Sequence, residues 1–254
     1  MGKKPRKHMN KLGLLGKDIS YSFSRAYFKK KFEDENINNT TYENFDIENI
    51  ELFSSIIKEV KDLKGLNVTI PYKEAVMPYL DKINKKAKKI GAINTIKITK
   101  KGKLIGYNTD CYGFKKSLEP YIKSHHKKAL ILGTGGASKA VAFSLKNLNI
   151  SCAYVSRNKS KKVSFTYENL TESIINEYQI IINCTPLGTH PNIENYPDIP
   201  YKAITSNHIL FDLIYNPEET KFLELGKTNG ATIINGLNML KLQAEKAWSI
   251  WNLS

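Results

Sequence analysis

One segment restricts the possible folds of this chain more than any other: an apolar strand that runs directly into a glycine-rich turn and a helix. Ala129–Leu132 is followed by GTGGAS (residues 133–138) and then by an alanine-rich stretch to Leu145. Gly133 permits a tight turn, Gly135 lets the backbone approach an anion, and the helix N-terminus presents unpaired N–H groups. This order predicts a cradle for a dinucleotide pyrophosphate. Because the glycines read GxGGA rather than GxGxxG, an ordinary strand-to-helix turn is the alternative.

The segments around this turn alternate regularly between short apolar runs and stretches of helical length. The runs lie at 129–132, 153–156, 180–183, 209–213 and 231–234. Nearly unbroken apolar strands separated by helices are typical of a parallel sheet that is buried on both faces. The second half is therefore predicted to be a doubly wound α/β domain. A polar stretch before Lys128 marks the seam with the first half, and a helix over 237–251 ends the chain.

The first half also mixes strands and helices, which favours an α/β layer architecture there too. Strands are predicted at 12–16, 41–46 and 66–70, and helices at 25–35 and 47–61. A single helix is predicted from Tyr72 to about Lys89. A hairpin follows from Thr95 to Gly106, with its turn at Lys101-Gly102.

The end of the second strand in the second half indicates which dinucleotide is bound. An NAD site usually places Asp or Glu about 20 residues after the glycine turn, whereas arginine accommodates the 2′-phosphate of NADP. Here the strand ends in SRNKSK (residues 156–161), which contains Arg157, Lys159 and Lys161 and no carboxylate. The sequence therefore predicts NADP rather than NAD. The alternative is that Arg157 merely covers a loop.

Several classes of protein are disfavoured by composition. The longest apolar runs are far shorter than the ~20 residues that span a bilayer, so no membrane association is expected. The three cysteines lack CxxC spacing, which favours a reducing compartment, and the five histidines lack metal-ligand spacing. A soluble, cytoplasmic protein without a metal is predicted.

The net charge of +15 raises the question of nucleic-acid binding. Of the 39 basic residues, 36 are lysine and only three are arginine. Nucleic-acid surfaces usually use arginine for bidentate contacts to phosphates and bases. No nucleic-acid partner is therefore expected, and a small-molecule substrate is predicted instead.

Four polar motifs of the first half carry the candidate substrate chemistry. They are SFS (22–24), NVTIPYK (67–73), AINT (92–95) and NTD (108–110), each at a strand end or in a loop. Hydroxyls and amides suit a small polyhydroxylated ligand, and the single Lys73 and Asp110 suit proton transfer. The alternative is that Lys73 and Asp110 form a structural ion pair.

Seven motifs in order, from residue 14 to 251, resemble those of shikimate dehydrogenases. The matching segments are GLNVTIPYK, GAINT, GYNTDCYGF, LGTGGASKA, IINCTPLGTHP, FDLIYNPEETKFL and GLNMLKLQAEKAW. The resemblance implies NADPH-dependent reduction of 3-dehydroshikimate to shikimate, a step towards chorismate and the aromatic amino acids. It also implies an N-terminal α/β substrate domain, a Rossmann-like NADP domain and a C-terminal helix that returns to the substrate domain.

The resemblance assigns a role to individual positions. It implies that Lys73 is the catalytic lysine and Asp110 its partner. The implied substrate contacts are Ser22, Ser24, Thr69, Lys73, Asn94, Asp110 and Gln243. The implied cofactor contacts are Gly133, Thr134, Gly135, Gly136, Ala137, Ser156, Arg157, Asn158, Lys161, Leu213, Tyr215 and Gly236. The expected domains are a basic tail (1–11), a substrate domain (12–110), an NADP domain (111–235) and the closing helix (236–254).

The chain departs from the family pattern in two loops. The first, GKDISYSFSRAYF (16–28), has Asp18, Tyr21, Arg25 and Phe28 where Pro, His, Pro and His are usual, although both serines are kept. In the second loop, SRNKSK (156–161), Ser156 and Lys161 stand where Asn and Arg are usual. Two alternatives remain: a quinate or dual quinate/shikimate dehydrogenase, and a catalytically idle regulator or nucleic-acid-binding protein on the same fold. The oligomeric state is expected to be a monomer or homodimer.

Overall fold

The computed structural model describes residues 9–20 and 22–252. Two compact units are present: one contains the described residues up to Thr109 and from Lys246 onward, and the other contains Asp110–Glu245. Most of the predicted basic tail (residues 1–8), Tyr21 and the last two residues lie outside the described residues.

The first unit is built on a mixed sheet of six described strands. Their order is β2-β1-β3-β5-β6-β4, with β1 parallel to both β2 and β3, β5 antiparallel to β3 and β6, and β4 parallel to β6. The strands are β1 (Asn10–Gly16), β2 (Thr40–Asp46), β3 (Leu63–Val68), β4 (Lys82–Ile83), β5 (Thr95–Ile98) and β6 (Leu104–Tyr107). The helices of this part are α1 (Phe23–Asp34), α2 (Phe53–Glu59), α3 (Tyr72–Ala75) and α4 (Lys85–Ile90).

The single helix predicted from Tyr72 to about Lys89 is wrong. The segment forms α3, a 3₁₀ turn over Met77–Tyr79, the short strand β4, and then α4. Pro78 has no N–H to donate, so it interrupts the helical hydrogen bonds, and it disfavours a helical backbone at the residue before it. Asn84 then begins α4, because its side chain accepts the N–H of Lys86 at 3.0 Å. The hairpin predicted at 95–106 is confirmed as β5 and β6.

The second unit contains a sheet in which every recorded pairing is parallel. The strand order is β12-β11-β10-β7-β8-β9. The strands are β7 (Lys128–Leu132), β8 (Ser151–Ser156), β9 (Phe165–Thr166), β10 (Ile180–Asn183), β11 (Ile209–Asp212) and β12 (Thr232–Ile234). The helices are α5 (Asp110–Leu118), α6 (Gly136–Asn147), α7 (Glu172–Glu177), α8 (Lys221–Thr228) and α9 (Leu237–Asn252).

The central strands of this sheet are buried on both faces, as their sequence predicts. Ile180, Ile181 and Ile182 are all fully buried, although neighbouring side chains of a strand point to opposite faces. Alternate residues of the run belong to two separate apolar clusters. An unbroken apolar run is therefore needed in β10, and the parallel sheet is confirmed.

The last helix, α9, is shared by the two units: its residues up to Glu245 belong to the second and those from Lys246 to the first. In the first unit the Trp251 indole donates to the carbonyl of Ile96 at 2.9 Å, and its ring packs near Phe28. Gly65 makes room for that ring, since a Cβ there would lie 2.2 Å from the indole nitrogen. The helix therefore completes the core of the first unit. Among the described residues, no helix is both long and apolar enough to cross a membrane.

Candidate active site

The polar motifs of the first unit meet at one edge of its sheet. Thr69 follows β3, Asn94 precedes β5, and Thr109 follows β6. Because β5 runs antiparallel to both β3 and β6, its first residue lies beside the last residues of those strands. Three motifs that are far apart in sequence therefore come together.

Backbone hydrogen bonds connect three of the predicted substrate residues at this edge. The carbonyl of Thr69 accepts the N–H of Tyr72 at 2.9 Å, and the carbonyl of Lys73 accepts the N–H of Ile93 at 2.7 Å. The carbonyl of Asn94 accepts the N–H of Val68 at 2.9 Å. Thr69, Lys73 and Asn94 are thus held in one neighbourhood by bonds that do not depend on their side chains. Lys73 is half-buried.

A buried hydrogen-bond network fixes the side chain of Asn94. Its Nδ2 donates to Thr109 Oγ1 at 2.9 Å, and its Oδ1 accepts the backbone N–H of Thr109 at 2.6 Å. The hydroxyl of Thr95 lies 3.2 Å from both Asn94 Oδ1 and Thr109 Oγ1. All three residues are at least 97% buried. The amide is therefore rigidly oriented, as a substrate-positioning group requires.

The same network reaches α1 through Asn67 and Tyr42. Asn67 Nδ2 donates to the carbonyl of Asn94 at 3.2 Å, and the Tyr42 hydroxyl donates to Asn67 Oδ1 at 2.8 Å. The Tyr42 hydroxyl also lies beside the side chain of Ser24, and burial raises the pKa of Tyr42. A continuous chain of contacts thus runs from Asn94 to Ser24.

Ser22 and Ser24 lie at the start of α1. The Ser22 hydroxyl accepts the N–H of Ser24 at 3.2 Å and so caps the helix. The loop before α1 packs closely against Thr69 because Gly16 has no side chain. A Cβ on Gly16 would lie 2.5 Å from Thr69 Cγ2 and 2.6 Å from Ile19 Cγ2. The structure therefore brings Ser22, Ser24, Thr69, Lys73 and Asn94 to one end of the first unit.

We expect Tyr42→Phe to lower the free energy of unfolding by roughly 1–3 kcal/mol, because it leaves the buried Asn67 Oδ1 without its donor. Urea denaturation measures this difference. Tyr79→Phe is the matched control, since the Tyr79 hydroxyl has no hydrogen bond in the described part of the chain. Equal losses for the two variants would contradict the network.

In the second unit, the glycine turn after β7 has the geometry that a bound phosphate group needs. Gly133 has φ +102°, and a Cβ there would lie 3.2 Å from the carbonyl oxygen of Cys184. A Cβ on Gly135, by contrast, would meet no heavy atom within 4 Å, so the turn is open beside this residue. Gly135 caps α6 without a side chain, which leaves the first N–H groups, including those of Gly136 and Ala137, available to an anion. The turn fits a pyrophosphate, with Thr134 exposed on it.

The basic loop follows the neighbouring strand. Leu132 pairs with Val155, so the turn that begins at Gly133 and the loop that follows Ser156 leave the sheet side by side. Arg157, Asn158 and Lys161 are exposed in this loop, as is Lys159. Arg157 lies close enough to Tyr167 to lower its pKa, although burial outweighs this and raises the Tyr167 pKa to about 12. An exposed cluster of cations beside the glycine turn suits a second phosphate.

A third group in this unit lies at the carboxyl ends of β10 and β11. Asn183 Nδ2 donates to Asp212 Oδ1 at 3.1 Å, and the Thr220 hydroxyl donates to Asp212 Oδ2 at 2.7 Å. Burial raises the pKa of Asp212 to about 6, against the effect of these donors. These hydrogen bonds to Asp212 fix the start of the loop that carries Leu213 and Tyr215.

Gly236 approaches this loop closely. Its N–H donates to the carbonyl of Ile214 at 2.9 Å, and a Cβ on Gly236 would lie only 2.1 Å from the carbonyl oxygen of Leu213. No other residue type fits without displacing this backbone. Leu213, Tyr215 and Gly236, for which the resemblance implies a place at the nicotinamide end, therefore lie close to one another along the backbone.

Asp110 and Gln243 lie on two helices that pack closely within the second unit. Asp110 begins α5, and both side chains are more than 90% buried. Gly113, one turn after Asp110, permits this packing: a Cβ there would lie 2.5 Å from the carbonyl oxygen of Met239 and 3.2 Å from Gln243 Cβ. Gln243 Nε2 donates to the carbonyl of Leu240 at 2.9 Å.

Several residues of this arrangement received no role from the sequence. Asn67, Thr95 and Thr109 stand inside the polar motifs of the first half, so their positions gave a signal. Tyr42 gave none, because its hydroxyl contacts a residue 25 positions away. In the described residues, no group of three or more His, Cys, Asp or Glu is arranged to hold a metal ion.

Comparisons with known proteins identify the family of this chain. Residues 14–96 match the family model described as the shikimate dehydrogenase substrate binding domain. The chain is 40% identical to a shikimate dehydrogenase (NADP(+)) from Methanococcus vannielii over 94% of this chain and 90% of that protein. This chain belongs to the shikimate dehydrogenase family.

Solved structures of shikimate dehydrogenases have the same fold. The enzyme from Aquifex aeolicus is 35% identical, with a TM-score of 0.85 over 96% of this chain and 92% of that one. The Thermus thermophilus enzyme, solved in complex with NADP(H) and shikimate, is 29% identical, with a TM-score of 0.85 over 96% of this chain and 94% of that one. The predicted family and fold class, with a Rossmann-like domain and a returning C-terminal helix, are confirmed.

Proposed function

We propose that this protein is an enzyme that reversibly reduces 3-dehydroshikimate to shikimate with NADPH. The strongest support is the 40% identity over 94% of the chain to a protein named for this activity with NADP(+). The polar edge of the first unit adds physical support, since it presents hydroxyls, a fixed amide and one ammonium group. These groups suit a ring that carries hydroxyls, a ketone and a carboxylate.

NADP(H) is proposed to bind the second unit. Gly133, Thr134, Gly135, Gly136 and Ala137 would hold the pyrophosphate, because the turn is open and the helix N-terminus is uncapped by any side chain. When bound, NADPH supplies the hydride.

The remaining cofactor contacts lie at neighbouring strand ends of the same sheet. Ser156, Arg157, Asn158 and Lys161 would hold the 2′-phosphate through hydrogen bonds and charge. Leu213, Tyr215 and Gly236 would line the nicotinamide end.

Lys73 is proposed to supply the proton. As the ketone carbon receives the hydride, negative charge grows on its oxygen, and an ammonium group beside it stabilises that charge. Lys73 Nζ then gives its proton to the oxygen, so the ketone becomes a secondary alcohol and the lysine becomes a neutral amine. In the reverse direction the amine accepts the hydroxyl proton. Asp110 is proposed as a second acid–base group of the same reaction.

Substrate binding is proposed to rest on groups that stay unchanged through the reaction. Ser22, Ser24 and Thr69 offer hydroxyls, and Asn94 and Gln243 offer amides, all of which can both donate and accept hydrogen bonds. They would bind the ring hydroxyls and the carboxylate. The cytoplasmic location and the monomeric or homodimeric state stay predictions.

Absorbance at the nicotinamide band, with shikimate and NADP supplied to the purified protein, tests the proposal directly. We expect turnover with shikimate and NADP, and less with quinate or with NAD. A higher kcat/KM for quinate would assign the protein to the related quinate enzymes. No turnover with any of the four combinations, while the protein is folded, would favour a regulator on this fold.

A further inference from the structure

The loop between β1 and α1 is held by β2 in a way that the sequence motifs do not reveal. This loop, described at residues 17–20 and at Ser22, belongs to the segment that departs from the family pattern, and it leads to Ser22 and Ser24. Asp46 Oδ1 accepts the N–H of Asp18 at 2.9 Å, and Asp46 Oδ2 accepts the N–H of Ile19 at 3.0 Å. One carboxylate therefore binds two successive backbone amides.

A second residue of β2 holds the other side of Ile19. Asn44 Nδ2 donates to the carbonyl of Ile19 at 2.8 Å, and that same carbonyl accepts the N–H of Ser22 at 3.1 Å. Tyr42, Asn44 and Asp46 are alternate residues of one strand, so their side chains share one face of the sheet. Tyr42 contacts Ser24, and the other two contact the loop before it.

The backbone conformation of the loop explains why the hydrogen bonds from Asp46 and Asn44 are needed. Asp18 has φ +54°, a left-handed conformation that proline cannot adopt. A proline would also lack the N–H that Asp46 accepts. The chain thus has no proline ring to stiffen the loop at position 18. Instead, the carboxylate of Asp46 restrains the same backbone through hydrogen bonds.

We propose that Asp46, assisted by Asn44, is a positioning residue that fixes where Ser22 and Ser24 present their hydroxyls to the substrate. The proposal rests on the proposed function, because it concerns binding of shikimate. Asp46 acts through the loop and touches neither substrate nor cofactor in this role. Its removal lowers the fraction of molecules whose loop is ready to bind, and the apparent affinity falls by that fraction.

The test compares Asp46→Ala with Glu48→Gln. The Glu48 variant removes the same charge from the same region, but the contact that it loses is an ion pair with Lys17 at 2.9 Å rather than a bond to backbone amides of the loop. We expect Asp46→Ala to raise the KM for shikimate about 3–10-fold, with kcat, the KM for NADP and the melting temperature nearly unchanged. Glu48→Gln should leave all four values unchanged.

A second pair of variants tests the backbone itself. Asp18→Gly keeps the N–H and tolerates a positive φ, so the KM for shikimate should stay the same. Asp18→Pro removes the N–H and forces a negative φ, so the KM should rise as in Asp46→Ala. Hydrogen exchange of the peptide containing Asp18 and Ile19 should become faster in Asp46→Ala and stay slow in Glu48→Gln.

The outcomes separate this proposal from the proposed function. If the unmodified protein oxidises shikimate but Asp46→Ala leaves its KM unchanged, the positioning role is wrong and the function stands. If the unmodified protein neither binds nor oxidises shikimate, the function fails, and the hydrogen exchange alone decides whether Asp46 holds the loop. If hydrogen exchange of the peptide containing Asp18 and Ile19 is unchanged in Asp46→Ala, Asp46 does not hold the loop, and the proposal is overturned in either case.

Discussion

Lys73→Ala should lower kcat by roughly 10²–10⁴-fold in both directions of the reaction, which is the usual contribution of a positioned acid–base group. In the proposed mechanism the Lys73 ammonium stabilises the developing negative charge and supplies the proton, and alanine can do neither. Shikimate and NADP should still bind, because Ser22, Thr69 and Asn94 are untouched and the glycine turn belongs to the other unit.

The local structure around Lys73 should survive this change. The bond that ties this segment to the sheet comes from the N–H of Ile93 to the Lys73 carbonyl, which alanine also has. We therefore expect an unchanged melting temperature and slow single-turnover hydride transfer. Lys88→Ala, which changes an exposed lysine of α4, is the control and should keep full activity. Near-normal hydride transfer in folded Lys73→Ala would overturn the catalytic assignment.

Asp110→Asn extends the same test to the proposed second acid–base group. If the two residues serve one proton transfer, the double variant should lose much less activity than the two single losses combined, because groups that act as a unit are non-additive. A purely structural role for Asp110 predicts a different result: a lower melting temperature, with turnover per folded molecule nearly intact.

Arg157→Asp should lower kcat/KM for NADP on the order of 10²-fold and reverse or abolish the preference over NAD. A hydrogen bond to a charged group contributes about 1.5–3 kcal/mol, and about 1.4 kcal/mol corresponds to tenfold. The new carboxylate also repels the 2′-phosphate, whereas it can accept hydrogen bonds from the free ribose hydroxyl of NAD.

The control for this variant lies in the same loop. Lys162→Asp makes a charge change of two units, as Arg157→Asp does. Lys162 is exposed and is not one of the residues predicted to bind the 2′-phosphate. Steady-state kinetics with both cofactors should show only a small change for Lys162→Asp. Equal efficiency of NADP and NAD in the unmodified protein would count decisively against the assignment of Arg157.

The sequence predicted the features that depend on neighbouring residues and missed those that depend on residues far apart in the chain. The turn at Gly133–Ala137 was predicted because a strand, two glycines and a helix start are adjacent in the chain. The helix predicted from Tyr72 to about Lys89 failed because Pro78 and the cap at Asn84 divide it, and because β4 exists only by pairing with β6. Periodicity alone does not reveal a strand of two residues.

For the candidate site, too, the sequence revealed the residue types but not the contacts between them. The residue types and their order along the chain, such as Thr69 and Lys73 or Asn94 and Thr95, were sufficient to predict the family and the chemistry. They did not reveal that Asn94 is held by Thr109 or that Tyr42 joins Asn67 to Ser24, since these partners are 15 to 25 positions apart.

The sequence by itself determined the parallel sheet, the glycine turn, the cationic loop and the candidate side chains of the site, because each depends on local periodicity or on residue chemistry. Only the tertiary structure decided how those side chains are oriented. Asp46 shows why: nothing near it in sequence marks it, and its role arises because β2 pairs with β1 and places its carboxylate beside the amides of Asp18 and Ile19. Orientation comes from strand pairing between distant segments, and such pairing has no local signature in the chain.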